Sequence, residues 1–446
     1  MKKYKSYKKS NLFSVSEIPD HWITLRMKNI GNLYGGLSGK KGDDFGKENS
    51  VFNKYYVPFK NIANNNVINP EVLDKVEIFE NESQNEVLKG DLLFLMSSEN
   101  YEDIGKTALV KFLPKSTYLN SFCKGFRVDN SEINSTFLNY LLQADEFRKS
   151  LSIEAKGFTR INLQIGKITN LGVCAPKYIE EQKKIANYLD HKTAIIDALI
   201  EKKEQLIKKL QAQRQAIINE SVTKGLNPNA KMKNSGIEWL GEIPEHWEAK
   251  RLKFIFNIQK RIAGVLGYDI LSVTQRGLKV KDISNYKGQF SMNYSKYQIV
   301  YEGDFVMNHM DLLTGYIDIS KQTGVTSPDY RVFELIDKEC NSAYFLYLCQ
   351  LCYKEKIFYS HGQGVSQLGR WRLQAKEFNN MTFPFPSFEE QTEIADYIDL
   401  NTENMDKVIL ESQVSIKKLK SYRQSIISEA VTGKIDVRDW QAPTKN

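Results

Sequence analysis

The sequence predicts an α+β protein in which two mixed α/β domains are joined by two long helices. Three observations predict this. The chain has 446 residues, enough for roughly three units of about 150 residues. Long segments recur at a period of about half the chain, and each recurring segment carries a long heptad pattern. We expect the two helices to form an antiparallel coiled coil, which gives the chain a pseudo-twofold internal repeat.

The clearest repeat joins residues 180–223 to residues 389–432, where about half of the positions are identical at a constant offset of 209. A shorter motif, EIPDHW at residues 17–22, returns as EIPEHW at residues 242–247. The long segments between these markers share almost nothing else. Two similar frames therefore carry two different inserts.

Both frames are predicted to be helical, because their apolar residues recur at alternating steps of three and four residues. The seam predicted by this stepping is Ile185, Leu189, Lys192, Ile196, Leu199, Lys203, Leu206, Leu210, Gln213 and Ile217 in the first helix, and Ile394, Ile398, Asn401, Met405, Val408, Ser412, Ser415, Leu419, Tyr422 and Ile426 in the second. Gly225 and Gly433 are the stop signals. A helix of about 44 residues would be about 66 Å long. The alternative is two separate amphipathic helices, each lying on its own domain.

The repeat and the turn signals divide the chain into seven segments. We expect a basic tail at residues 1–16, a first mixed domain at 17–176, a first long helix at 177–224, a linker at 225–241, a second mixed domain at 242–386, a second long helix at 387–434 and a tail at 435–446. Strand-like runs at 91–96, 105–110 and 303–307, with helical segments at 137–151 and 342–358, give the inserts their mixed character. The lysine-rich start is expected to be disordered, with weak phosphate affinity at most.

The composition excludes several classes of protein. A hydrophobic fraction of 41% excludes wholesale disorder. The longest strongly apolar stretch, residues 344–353, is about half as long as a membrane span. The start of the chain lacks the apolar core of a secretory signal, and five scattered cysteines suit a reducing compartment. We therefore expect a cytoplasmic protein. The net charge of +8 fits a polyanionic partner but is modest for this length.

The sequence contains no recognisable catalytic constellation. Cys349 and Cys352 form a C-x-x-C in an apolar helical run without a second ligand pair, so we expect core packing and no metal. The chain has no Pro-Pro dipeptide, which excludes the usual amino-methyltransferase motif, and the Gly105-Lys106-Thr107 turn lacks the spacing of a phosphate loop. We expect a chain with no catalytic site and no cofactor of its own.

The order of these features resembles the specificity subunit of type I restriction-modification systems. The resemblance is carried by two long helices headed by Glu-Glu-Gln, by the motif GIEWLGEIPEHW at residues 236–247, and by a variable segment before each helix. It covers nearly the whole chain. It implies that the inserts are two target-recognition domains, each reading one half of an asymmetric bipartite DNA site. It also implies that the coiled coil sets the spacer between the half-sites.

The resemblance further implies the partners. These would be double-stranded DNA, two methyltransferase subunits, and two restriction and translocase subunits. S-adenosylmethionine, ATP and Mg would be bound by those partner subunits. Two alternatives remain open on the sequence. One is a self-contained modification enzyme, which the missing motifs disfavour, and the other is a coiled-coil adaptor that binds no nucleic acid.

Base reading needs Arg, Lys, Asn or Gln side chains in loops, positioned by basic and hydroxyl groups at phosphates. The candidates for DNA contact are Lys40, Lys41, Lys60, Asn61, Ser98, Asn100 and Tyr101 in the first domain, and Thr274, Gln275, Arg276, Lys279, Lys281, Asn308 and His309 in the second. The candidates for docking the methyltransferase subunits are Glu180, Glu181, Gln182, Glu389, Glu390 and Gln391. The DNA candidates could instead be solvated surface, and carboxylates also suit the positive end of a helix dipole.

Overall fold

The chain divides into two compact units. The computed structural model describes residues 2–443 except 48–49, 158, 276, 282–293, 338 and 365–370. Unit 1 comprises residues 1–203 and 413–446, and unit 2 comprises residues 204–412. Each unit contains one insert, part of the first long helix and part of the second.

The first insert is built around a four-stranded antiparallel sheet. The elements up to the first long helix are β1 (Tyr7–Lys9), β2 (Glu17–Pro19), β3 (Trp22–Arg26), β4 (Gly31–Gly35), β5 (Asn53–Val57), α1 (Phe59–Asn64), β6 (Asp74–Glu77), β7 (Leu92–Leu95), β8 (Ser97–Ser98), β9 (Thr107–Leu109), β10 (Thr117–Leu119), β11 (Cys123–Val128), α2 (Ser135–Gln143), α3 (Asp145–Ile153), β12 (Ile161–Asn162), α4 (Ile165–Thr169), β13 (Gly172–Pro176) and α5 (Ile179–Lys224). The sheet order is β4-β11-β7-β9, and β10-β5-β6 form a three-stranded sheet. Phe94, Phe126 and Phe137 are buried where α2 packs on the sheet.

The second insert contains the same arrangement of a four-stranded sheet and a packed helix. Its elements are β14 (Met232–Asn234), β15 (Glu242–Pro244), β16 (Glu248–Arg251), β17 (Phe256–Gln259), β18 (Leu271–Thr274), β19 (Gly277–Val280), β20 (Gln298–Val300), β21 (Phe305–Met307), β22 (Ile317–Ile319), β23 (Gly324–Thr326), β24 (Arg331–Leu335), α6 (Ser342–Lys354), α7 (Ile357–Ser360), α8 (Ala375–Asn380), β25 (Thr382–Phe385) and α9 (Phe388–Val431). The order β17-β24-β21-β22 matches that of the first sheet, and α6 packs on β22. Both inserts bury aromatic side chains between sheet and helix. In the second insert these are Phe305, Phe333 and Phe345.

Each helical segment predicted late in an insert proves to be two helices. Asn134 caps α2 by accepting the Phe137 N–H at 2.9 Å, and Ala144 then breaks the helix with an extended backbone. Asn341 caps α6 in the same way, and Lys356 in a left-handed conformation separates α6 from α7. The cap residues are the ones that a helix start favours. The breaks were not predicted, because Ala and Lys are both common inside helices.

The two long helices contact each other within each unit. In unit 1, Asp197 of α5 accepts two hydrogen bonds from Arg423 of α9, at 2.8 Å from Nε and 3.1 Å from Nη2. In unit 2, the Nε of Arg214 lies 3.0 Å from one carboxylate oxygen of Asp406 and 3.1 Å from the other. The two ion pairs occupy the same positions of the repeat, since 197 and 406, and 214 and 423, each differ by 209.

The predicted seam holds at the start of each helix, where Ile185 and Ile394 are buried, but from Lys192 and Asn401 onward every second position is offset by one residue. Leu199 and Leu206 of α5 are 43% and 41% exposed, whereas Ile200 is buried. Val408 of α9 is 40% exposed while Ile409 is buried. The heptad spacing itself is present, but half of the seam lies one residue further along the helix.

The offset begins at Thr193. Its hydroxyl donates to the Leu189 carbonyl at 2.7 Å and lies 3.2 Å from the Tyr140 hydroxyl, so the first insert turns this face inward. The seam observed is Thr193, Ile196, Ile200, Lys203, Ile207, Leu210 and Arg214 in α5, and Thr402, Met405, Ile409, Ser412, Ile416, Leu419 and Arg423 in α9. Both sets occupy the same positions of the 209-residue repeat.

The basic tail predicted at residues 1–16 and the linker predicted at 225–241 are both wrong, because each contains an ordered strand. β1 pairs antiparallel with β2, and β14 pairs with β15 in the same register, with Tyr7 opposite Pro19 and Met232 opposite Pro244. The Ser10 N–H donates to the Ser16 carbonyl at 2.7 Å. An equivalent bond in unit 2 is 2.9 Å long. The two segments are thus copies of one hairpin, and the repeat begins earlier than its EIP-x-HW motif.

The tail predicted at residues 435–446 is also wrong as far as residue 443. Ile435 and Val437 are buried in the core of unit 1, and the Trp440 ring lies 5.4 Å from that of Tyr188. The Asp436 N–H donates to the Lys2 carbonyl at 2.8 Å. Apolar residues in this short segment are enough to fix it against the helix and the first hairpin.

Gly225 and Gly433 end the long helices as predicted, both with φ of 75°. A Cβ on Gly433 would lie 2.4 Å from Pro19, and one on Gly225 would lie 3.2 Å from Trp247. Each glycine therefore permits both a left-handed turn and close packing against the hairpin of its unit.

The cysteines of the C-x-x-C lie in the core as predicted, since Cys349 and Cys352 are fully buried in α6. No described helix is long and apolar enough to cross a membrane. In the part of the chain that the structure describes, no group of His, Cys, Asp and Glu side chains is placed to hold a metal ion.

Candidate nucleic-acid interface

The head of α5 is locked into unit 1 by two buried side chains. Glu181 accepts hydrogen bonds from the Tyr4 hydroxyl at 2.9 Å and the Trp22 indole at 3.1 Å, and lies 2.9 Å from His21. Burial and the Glu181 charge raise the pKa of Tyr4, so its hydroxyl stays a donor. The Gln182 side chain accepts a hydrogen bond from the Asn134 N–H, just before α2, and donates to the Glu132 and Pro176 carbonyls. Each of these bonds is 2.9 Å long. These bonds fix the angle between the helix and its insert.

The head of α9 is held in unit 2 by a related arrangement. Gln391 accepts the Asn341 N–H at 2.8 Å and donates to the Pro386 carbonyl at 3.0 Å. Glu390 lies 3.0 Å from His246, but the Trp247 indole N–H has no partner among the described residues. The second carboxylate therefore holds fewer groups than the first.

The docking role predicted for Glu181, Gln182 and Gln391 is wrong, because these side chains are buried and used inside their own units. The structural role of carboxylates at a helix start, weighed as the alternative, is the one observed. Glu180 and Glu389 remain exposed, and Glu390 is half-buried. Of the six docking candidates, only Glu180, Glu389 and Glu390 remain accessible to a partner.

Two of the first-domain DNA candidates are buried and bonded within their own domain. Asn61 is 1% exposed, and its amide donates to the Asn69 and Val72 carbonyls, each at 2.8 Å. Lys40 is paired with Glu82 at 2.6 Å, and its side chain is 5% exposed. DNA contact by these two residues is therefore contradicted by their burial.

The other first-domain candidates remain at the surface. Lys41, Lys60, Asn100 and Tyr101 are exposed, and Ser98 is half-buried in β8. The Asn100 amide donates to an Asp103 oxygen at 2.9 Å, which shapes the loop that carries Tyr101.

A cleft of about 620 Å³ in unit 1, here called the first cleft, brings two of the predicted segments together. Its walls include residues 62–64 at the end of α1, which directly follow the candidates Lys60 and Asn61, and the Tyr101 loop. Further residues of its lining are Lys106, Gln143, Arg148, Arg423 and Gln424. Both polar side-chain atoms of Gln143 and the Nη1 of Arg148 are buried there, and no described residue is their hydrogen-bond partner. Burial also lowers the pKa of Arg148.

The second-domain candidates lie on one hairpin and on one loop. Thr274 and Gln275 lie at the β18–β19 turn, and the Gln275 amide lies 3.4 Å from the Thr314 carbonyl of the loop that begins at Asn308. Lys279 is exposed on β19, and Lys281 and Asn308 are half-buried. Arg276 lies outside the described residues.

A second cleft, of about 720 Å³, lies in unit 2 and includes Gln275 in its lining. Its other lining residues include Arg214, Gln215, Tyr316, Gln350 and Lys354. The pairs Arg214-Gln215 and Arg423-Gln424 are visible as identities in the sequence repeat. That repeat was the available signal for the clefts, but only the fold brings the pairs next to the inserts.

His309 is a buried histidine and not a surface contact, so its predicted DNA contact is wrong. It is 6% exposed, and its Nδ1 has no hydrogen-bond partner in the part of the chain that the structure describes. Burial, together with the charges of Arg331 and Arg372, lowers the pKa of His309 to about 3. The ring is therefore neutral at pH 7 and offers no charge to a phosphate.

The stability of unit 2 should fall in mild acid because of His309. An unfolded histidine has a pKa of about 6.5, so the unfolded chain takes up the proton first. The stabilisation is fully present above pH 6.5 and is lost as the pH falls toward 3. At pH 5 the loss should approach about 2 kcal/mol. Denaturant unfolding at pH 7 and pH 5 measures it.

His309→Gln should remove this part of the pH dependence, and the exposed His361→Gln is the matched control. A His309→Gln variant that loses as much stability between pH 7 and pH 5 as the unmodified chain would contradict the assignment.

These observations define a protein with two different mixed α/β domains on a repeated helical frame. Each domain has a polar cleft and exposed loops beside its helix. The chain belongs to the family of the type I restriction modification DNA specificity domain, whose model matches residues 19–209 and 244–411.

Relatives match over nearly the whole chain. A putative type I restriction enzyme MjaX specificity subunit from Methanocaldococcus jannaschii is 24% identical, over 97% of this chain and 98% of its own. The type I restriction enzyme EcoKI specificity subunit from Escherichia coli K12 is 21% identical, over 96% of this chain and 92% of its own. A solved chain from work on complex assembly and conformational transition of the type I R-M system aligns with a TM-score of 0.66. It has 14% identity over 94% of this chain and 99% of its own, which shows a shared fold.

Proposed function

We propose that this chain is the sequence-specific DNA-binding subunit of a type I restriction-modification complex. The observation that carries the proposal is the pairing of two different inserts with two copies of one frame. The repeated frame has the same role at both halves of a DNA site. The inserts differ in sequence, so they recognise the different bases of the two halves. Each insert reads one half of an asymmetric bipartite site.

The two long helices act as the ruler between the half-sites. The Asp197–Arg423 pair of unit 1 and the Arg214–Asp406 pair of unit 2 support this, because both fit one antiparallel alignment in which paired residue numbers sum to 620. A polar or charged residue on an otherwise apolar seam fixes the register of a coiled coil. The antiparallel coiled coil and its pseudo-twofold repeat thereby set the length of the spacer.

The DNA contacts are made by the predicted candidates that are exposed or half-buried in the two inserts. The candidates that burial leaves for this role are Lys41, Lys60, Ser98, Asn100 and Tyr101 in the first domain, and Thr274, Gln275, Lys279, Lys281 and Asn308 in the second. The lysines position the phosphate backbone, and the amides and hydroxyls read base edges in the grooves.

The chemistry is done by partners, so the chain is the non-catalytic recognition subunit of the complex. Two methyltransferase subunits carry S-adenosylmethionine, and two restriction and translocase subunits use ATP and Mg. The chain brings them to the two half-sites. The similarity to chains named as specificity subunits supports this division of labour.

Genome-wide methylation mapping tests the proposal. Cells expressing this chain with its neighbouring methyltransferase are compared with cells that lack only this chain. We expect a two-part asymmetric motif with a fixed gap, methylated only when the chain is present. If the methyltransferase is active but no methylation depends on this chain, the proposal fails and a coiled-coil adaptor that binds no nucleic acid becomes the better interpretation.

A further inference from the structure

In unit 1, hydrogen bonds attach the first insert to α5 at two separate points. At the head of the helix, Gln182 accepts the N–H of Asn134, the residue that caps α2. Further along both helices, the hydroxyl of Tyr140 donates to Asp190 at 2.8 Å. Tyr140 lies six residues after Asn134 on the insert, and Asp190 lies eight residues after Gln182 on the long helix. The two attachments therefore join the same pair of helices in different turns.

Unit 2 repeats both attachments with the same spacings. Gln391 accepts the N–H of the N-cap Asn341, and the hydroxyl of Tyr347 donates to Asp399. The separations are again six residues on the insert and eight on the long helix. The two inserts share little other sequence. A bond that recurs in inserts reading different bases serves something that both half-sites need.

The tyrosine bonds resist turning of an insert on its helix. The bonds at the helix head set the angle of the insert, and eight helical residues separate them from the tyrosine bond by about 12 Å. A turn of about 10° about the head would shift the tyrosine by about 2 Å from its aspartate, which stretches and misaligns the hydrogen bond. Leu141 and Leu189 also pack in one core. Apolar burial is non-directional and opposes such a turn less.

Both tyrosine bonds end on a carboxylate, which makes them stronger than bonds between neutral groups. Burial and the charge of Asp190 raise the pKa of Tyr140, and burial and Asp399 raise the pKa of Tyr347. Both hydroxyls therefore keep their protons and remain donors. In unit 1, Lys111 of the insert lies 2.8 Å from the second oxygen of Asp190, so one carboxylate holds two groups of the insert.

We propose that Tyr140 and Tyr347 are positioning residues that hold each insert at one angle on its long helix and thereby restrict recognition to one gap length; this rests on the proposed function above. A half-site displaced by one base pair lies about 3.4 Å further along the DNA and is rotated by about 35° around its axis. An insert that follows the displaced half-site turns on its helix and breaks the tyrosine bond. The energy of that bond therefore opposes the reading of a wrong gap.

The experiment measures gap discrimination by the full chain purified with its neighbouring methyltransferase. Methylation rates are measured on duplexes that carry the mapped motif with its natural gap, and with a gap one base pair shorter or longer. Tyr140→Phe and Tyr347→Phe are made singly and together. The matched control is Tyr34→Phe, because Tyr34 also donates to a buried aspartate, Asp91, at 2.6 Å, but both residues belong to the first insert. Circular dichroism melting checks that each variant folds.

We expect the unmodified chain and Tyr34→Phe to show the same preference for the natural gap. Each of the other single variants should methylate the wrong gaps about tenfold faster relative to the natural gap, which is the factor expected for one hydrogen bond to a charged group. The double variant should lose more of the preference, and the half-site sequences should stay the same.

Asp399 provides a second route to the same test, because its side chain is exposed and its substitution leaves the core intact. Asp399→Ala removes the acceptor and should match Tyr347→Phe. Asp399→Asn keeps an acceptor and should retain more of the gap preference. This pair decides the question in unit 2 if a tyrosine variant melts early.

An unchanged gap preference in the folded double variant would overturn the proposal, even if all methylation rates fall together, because that result describes a bond with a structural role alone. An equal change of preference in Tyr34→Phe would overturn it too. Failure of the proposed function is a different result, since the unmodified chain would then direct no methylation at any gap.

Discussion

Insertion of one heptad into each long helix should lengthen the gap between the two half-sites by about three base pairs without changing the half-sites themselves. Seven helical residues add about 10 Å, and base pairs are spaced by about 3.4 Å. The insertion points are after Lys203 and after Ser412, which are equivalent in the repeat and lie on the seam of both helices. Methylation mapping of the recognised motif measures the gap.

Two control insertions sharpen this experiment. The same seven residues placed in one helix only should abolish methylation, because the ion pairs at Asp197 and Asp406 can no longer form together. Seven residues placed in the exposed turn around Asn229 should leave the gap unchanged. A gap that stays the same after both helices are lengthened would exclude the helices as the ruler.

Glu181→Ala should destabilise unit 1 by about 3 to 5 kcal/mol. The substitution leaves the Tyr4 hydroxyl and the Trp22 indole buried without an acceptor, and it removes the partner of His21. Each buried donor left without a partner is unfavourable by about 1 to 3 kcal/mol. Denaturant unfolding and amide hydrogen exchange in the first turns of α5 measure the loss.

The repeat supplies matched controls for this prediction. Glu390→Ala should have an effect of about 1 kcal/mol or less, because among the described residues the Glu390 carboxylate is bonded only to the exposed His246. Glu180→Ala removes an exposed carboxylate that pairs with Lys183 and should have a similarly small effect. Equal losses for the Glu181 and Glu390 variants would show that the buried network does not stabilise the head of α5.

Burial decided which candidate residues stayed at the surface, and the sequence could not predict it. Lys40 and Lys41 are neighbours with the same charge, yet Lys40 lies against Glu82 while Lys41 is exposed. Asn61 looked like a loop amide, but α1 turns it toward two carbonyls. His309 is likewise buried, and burial together with the positive charge of Arg331 lowers its pKa. Such contacts join residues that are distant in sequence, so no local pattern reports them.

The sequence by itself determined the repeat, the two long helices, the different inserts and the family. These features depend on local composition, heptad spacing and direct identity between the two halves, all of which are present in the chain before it folds. Only the tertiary structure decided that the described parts of the predicted tails and linker are ordered and that the seam shifts at Thr193. It also decided that Tyr140 and Tyr347 of the inserts bond to Asp190 and Asp399 of the long helices. The physical reason is that burial and hydrogen bonding between distant segments set these features, and such energies exist only once the segments have packed.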